Sequence, residues 1–148
     1  MNLKEVVLGL AELVSGVLIE EGRVLPMAYF LEQDGRIAAG ILLDFSSEEA
    51  KSASVALAKS IARATGCPVV YVVETFVSRR PKPGILLSED PDREEAIVVI
   101  AFSPHLSATA FLPFSRDDQG NPVLSRPELF DGAVSSWMDP WPDRNSLH

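Results

Sequence analysis

Two side chains stand where proton-transfer chemistry could be done. Glu74 sits in the middle of the apolar run from Val69 to Val77, where burial without a partner is costly and would raise the carboxyl pKa toward the range of a general acid or base. His105 is the single histidine outside the last residues of the chain, and with Glu74 it forms the candidate catalytic pair. The competing reading is that strand alternation turns Glu74 toward water or an arginine, leaving it no chemistry.

The stretch from 78 to 95 supplies a second candidate, because it is long for a connection in a small domain and dense in charge. Arg79, Arg80 and Lys82 open it, and Glu89, Asp90, Asp92, Glu94 and Glu95 follow around Arg93. Arg79, Arg80, Arg93 and Glu94 are the candidate ligand-binding residues, for a charged ligand or a hard cation. A solvated loop whose opposite charges pair with one another explains the same residues.

Other chemistries find little footing. Cys67 lies between Gly66 and Pro68 at a helix-to-strand corner, without the helix N-terminus or basic neighbour that activates a thiol. One cysteine makes neither an internal disulfide nor a multi-thiolate metal site. The chain has no glycine-rich phosphate loop, no HExxH and no nucleophile elbow, so no metal and no cofactor is expected. The segment from Asp117 to Asn121 lacks the alternating ligands of a calcium loop and reads as a turn. With 13 basic against 21 acidic side chains and a net charge of -8, a nucleic-acid partner is not expected.

The elements that must position these groups follow from periodicity. Leu3, Val7, Leu10, Val14, Val17 and Leu18 fall at helical spacing that stops at Gly22, predicting a helix over 2–21 with a wide apolar stripe. Its carboxylates, Glu5, Glu12, Glu20 and Glu21, distinguish it from a signal sequence, and no uncharged apolar run is long enough to span a membrane. A cytoplasmic protein is therefore expected.

Two strand-like runs, 27–32 and 37–44, flank an Asp34-Gly35 turn. Gly40, inside the second run, signals a bulge or a close approach by a helix. A second helix, capped by Ser46 or Ser47 and closed by Gly66, presents Ala50, Ala53, Leu57, Ile61 and Ala64 as its buried stripe, with Lys51, Lys59 and Arg63 toward water. The runs 69–77 and 96–102 are apolar on both faces, as central strands are. A further strand over 108–114 and a short edge strand near Val123 complete the set.

The fold class expected is α+β: two helices on a mostly antiparallel sheet of about five strands, in the order α-β-β-α-β-β-β. Two helices can cover one face of such a sheet, and because the central strands are apolar on both, the second face is expected to need the C-terminal segment or another subunit. Residues 1–125 read as the domain and 126–148 as a tail carrying Trp137 and Trp141 in a proline-stiffened Trp-Met-Asp-Pro-Trp-Pro segment. Tryptophans of this kind anchor interfaces, or fold back on their own chain. The composition thus favours an acidic interaction or adaptor module, a homo-oligomer or the partner of another protein. A small enzyme or ligand-binding protein with its site at 78–95, and an acidic inhibitor of a basic protein, are the alternatives.

Overall fold

The structure, a computed structural model, describes residues 1–77, 83–84, 86, 89–91, 93–133 and 136–143. Helix α1 (Leu3–Glu21) begins at Asn2, whose side-chain oxygen accepts the Lys4 N–H at 3.0 Å, satisfying a donor that the first turn leaves unpaired. It ends at Gly22, which takes φ 78° and returns its N–H to the Leu18 carbonyl at 2.8 Å. Strands β1 (Met27–Leu31) and β2 (Ile37–Leu42) make the expected hairpin. The Asp34 carboxylate accepts the Arg36 N–H in the turn.

Ser47 caps α2 (Glu48–Thr65). Strands β3 (Val69–Val77), β4 (Glu94–Phe102) and β5 (Ser107–Arg116) then run antiparallel as a meander. Two short strands follow, β6 (Pro122–Leu124) and β7 (Glu128–Asp131).

The sheet is antiparallel, in the order β2-β1-β3-β4-β5-β6, and β7 also pairs with β5. It has seven strands rather than about five, since β5 is long enough to take β7 along its first half and β6 along its last three residues. Each apolar face has its own helix. α1 packs through Val7, Leu10, Ala11, Val14 and Leu18 on Val70, Val72, Ile97, Val99 and Leu112. α2 packs on the other face against Ala28, Phe30, Tyr71, Ile100 and Phe102.

The stripe that α2 buries is Val55, Ala58 and Ala62, not the Ala50, Ala53, Leu57 and Ala64 set. α2 is amphipathic, but alanines flank its buried stripe, so neighbouring segments decide which of them are covered. Here they belong to the C-terminal segment. Lys59, half-exposed, donates to the Trp137 carbonyl at 2.9 Å, and Arg63, exposed as expected, reaches the Pro140 carbonyl at 3.4 Å, so cations on the outer side of α2 also hold this segment. Met138 is buried in the α2-side core and Trp141 packs against it. α1 likewise keeps Leu13, Val17 and Ile19 outside its buried stripe.

Tyr71 is fully buried on the α2 face, edge-on to Phe102. Its hydroxyl has no hydrogen-bond partner among the described residues. Burial, with the Asp139 carboxylate nearby, pushes the phenol well above its ordinary pKa, and Arg63 opposes this in part. An orphaned buried hydroxyl costs about 1–3 kcal/mol. Tyr71→Phe, which keeps the ring, is therefore expected to leave stability unchanged or raise it by up to about 2 kcal/mol in denaturant unfolding; a loss would show that the hydroxyl has a partner after all.

Candidate functional site

Antiparallel pairing brings three charged side chains together at one end of the sheet. Glu74 lies opposite Ile97 and Glu95 opposite Phe76 and Phe114. Alternation therefore puts Glu74, Glu95 and Arg116 on the α1 face, just beyond the helix's last turn. Arg116 holds the group. Its Nε donates to Glu95 Oε2 at 3.1 Å and its Nη2 reaches Glu74 Oε1 at 3.5 Å. Nη1 donates to the Gly120 carbonyl and Nη2 to the Gly22 carbonyl, each at 3.2 Å.

One guanidinium thus ties β3, β4, the turn before β6 and the C-terminal end of α1. A cation at that end also complements the helix dipole. Its planar fork, with five donors, suits four oxygen acceptors in a way a lysine could not.

Glu74 is half-buried. Burial pushes its pKa up, while the Val24 N–H that it accepts, Arg116 and Arg23 pull it down and Glu95 pushes it up. The carboxylate expected either to face water or to meet an arginine meets Arg116, a residue the sequence reading passed over. Beside this cluster an open cleft of about 600 Å³ is floored by Phe76 and Phe114 and bordered by Arg93, Glu94 and Glu95. The Arg93 guanidinium stacks 5.0 Å from the Phe76 ring centre and donates to the Asp90 carbonyl.

The remaining candidates lie elsewhere. His105 is in the tight turn between β4 and β5, where its N–H meets the Ser103 hydroxyl. Glu74 is opposite Ile97, five residues before β4 ends at Phe102, a rise of about 17 Å at ~3.3 Å per residue. Glu74 and His105 are therefore not a hydrogen-bonded pair. Arg79 and Arg80 fall outside the described residues, as does Lys82. Trp137 is 43% exposed, with Lys51 above its ring, and Trp141 is partly buried against α2's side of the sheet. Cys67 is a free, half-buried thiol.

Among the described residues no group of three or more His, Cys, Asp or Glu could hold a metal ion, and no helix is long and apolar enough to cross a membrane.

On the same α1 face, reaching the charged cluster at Arg23 and Val24, lies a largely apolar groove of about 370 Å³. Val14, Val17 and Val24 form one wall and Met27, Tyr29 and Val72 the floor. It exists because α1 packs along β4 and β5 and leaves the β1–β2 hairpin open on this side. Comparison with protein-family models, with curated proteins and with solved structures finds no match.

The Arg116 cluster yields two expectations. Arg116→Met leaves Glu74 and Glu95 facing each other without their cation and should cost about 1–3 kcal/mol in urea unfolding, less in a Glu74→Gln background. The pH dependence has a definite sign. Because the folded-state pKa of Glu74 lies above its ordinary 4.5, the folded state binds the extra proton, and this group's contribution to stability grows as pH falls from neutral toward 4.5. The Tm advantage of Glu74→Gln over the parent should accordingly shrink across that interval; an advantage that grows instead would mean that the carboxylate's pairing with Arg116 outweighs its burial.

Proposed function

We propose that this chain is a small acidic interaction module of the cytoplasm that assembles as a homodimer and works through its surfaces rather than by catalysis. The observation that carries this reading is the gathering of exposed apolar side chains on one side of the molecule. Leu13 and Val17, one helical turn apart on α1, lead into the groove floored by Met27 and Tyr29, and Leu42 lies opposite Met27 across the hairpin. Leu13 is 65% and Leu42 60% exposed. Exposed apolar side chains beside an apolar groove are the kind of surface that association uses.

The geometry lends less to the catalytic alternative. Its carboxylate is engaged by Arg116 and by the Val24 N–H, and its histidine is at the far end of β4. The cleft beside Phe76 and Arg93 offers stacking and charge for a small ligand, but no two of its groups stand as acid and base. A free, half-buried Cys67 suits a reducing compartment.

Size-exclusion chromatography with light scattering tests the reading. The expected mass is twice the 16.1 kDa of the chain, and it should persist at high salt, since apolar burial is not screened. A monomer at every concentration overturns the homodimer. Association that appears only with a basic protein, and dissolves in salt, supports the acidic-inhibitor alternative instead.

A further inference from the structure

The two edges of the sheet are built differently. On one side β5 is flanked by β6 and β7, of three and four residues, with Pro122 and Pro127 at their starts and Glu128 and Asp131 at the ends of β7. Short strands, prolines and charges are the means by which edges are kept from pairing. On the other side β2 has almost none of these. Ile37-Ala38-Ala39-Gly40-Ile41-Leu42 contains no charge and no proline, and all but Ile41 are exposed.

The direction of its backbone groups follows from the ladder. Leu43 donates to the Pro26 carbonyl, and Leu31 of β1 donates away from β2 to Pro68. In an antiparallel pair hydrogen-bonded positions alternate, so Ala28 bonds Ile41 and Phe30 bonds Ala39. The N–H and C=O of Gly40 and Leu42 therefore point outward, with no strand beside them among the described residues. The one irregularity, a bulge that leaves Ala38 unopposed, stands before this segment and leaves Ala39 to Leu43 regular.

We infer that β2 is the dimer surface: the β2 strands of two copies pair antiparallel about a two-fold axis at Ile41, joining both sheets into one. This rests on the homodimer reading and names its interface. About that axis Gly40 of each copy meets Leu42 of the other, so all the outward N–H and C=O groups of the regular segment are satisfied at once.

The side chains agree with this register. Leu42 of one copy comes to lie over Gly40 of the other, on the face where a Cβ on Gly40 would stand only 2.9 Å from the Tyr29 ring. The incoming leucine would thus land beside that ring, over a position with no side chain of its own. Charge selects the same strand. A chain of net charge -8 repels its copy least where the contact is neutral; 37–43 is uncharged, Arg36 before it is paired with Glu32 and Asp34, and Asp44 after it accepts from the Ser46 N–H and hydroxyl. Both α1-face grooves then open side by side on one face of the joined sheet.

Amide hydrogen exchange on the full chain tests the pairing without a mutation. The Gly40 and Leu42 amides, which have no strand beside them in a single copy, should become protected as concentration drives association, while those of Ala39 and Ile41, already bonded to β1, should not change. A dimer in which Gly40 and Leu42 still exchange freely overturns the inference and leaves the homodimer standing; a chain that never dimerises overturns both.

Leu42→Lys provides the second arm, at an exposed side chain, with Leu13→Lys on α1 as control. The first should weaken self-association at least about tenfold, with the melting temperature of the monomer kept, and the second should do so far less. The reverse ranking would place the interface on the α1 stripe and overturn the β2 assignment.

Discussion

Strands β3, β4 and β5 carry apolar side chains on both faces, and a sheet made this way has to be covered twice. Val70, Val72, Ile97, Val99 and Leu112 look to one side, and Val69, Tyr71, Val98, Ile100 and Phe102 to the other. With two helices in the chain, each face receives one. α1 is a broad, leucine- and valine-rich helix that covers its face alone. α2 is alanine-rich and narrow, and its side of the core closes only with Met138 and Trp141. The hydrogen bonds from Lys59 and Arg63 to carbonyls of that segment are the polar counterpart of this dependence. Losing them would leave two backbone acceptors to find other partners.

The same constraint places the charges. Where α1 stops at Gly22 the sheet runs on, and the α1-face positions there set Glu74, Glu95 and Arg116 among Phe76 and Phe114. Arg116 bonds both carboxylates, and Arg23 adds a second positive charge near Glu74. The cluster is a clamp rather than a repulsive site, because the Arg116 guanidinium also collects the carbonyls of Gly22 and Gly120. A half-buried carboxylate in an apolar strand is a plausible catalyst only while its partner is unknown. Once the partner is a structural arginine, its place at the helix end is explained by packing.

How far the sequence discloses this depends on contrast between neighbouring positions. The run 69–77 is a strand over the same residues because β-branched and aromatic side chains leave no other reading, and Asp34-Gly35 marks the hairpin because few pairs tolerate that turn. The α2 stripe is Val55, Ala58 and Ala62 at helical spacing, and the flanking alanines are what make a neighbouring set look equivalent. β7 hides behind Pro127 and two acidic residues, and its four residues take their stability from β5 rather than from their own pattern. Arg116 is masked by the turn that follows it. The β4–β5 register alone would have exposed it, since a tight turn at 103–106 puts Phe114 opposite Glu95 and sends the next side chain on that face, Arg116, toward the same carboxylate.

Gly40 illustrates the rest. A glycine within a strand signals a close approach, and a helix is the expected neighbour; what approaches is the Tyr29 ring, across the hairpin. The hairpin is free to do this because α1 packs chiefly over β4 and β5 and meets the hairpin near its turn, where Val6 approaches Gly35, so the sheet's neutral edge and the open groove beside it have one origin. Covering the central strands consumed the helices. What they leave bare is a strand whose outward amides and carbonyls can be satisfied by water or by another strand, and only the second also draws Leu42 from solvent.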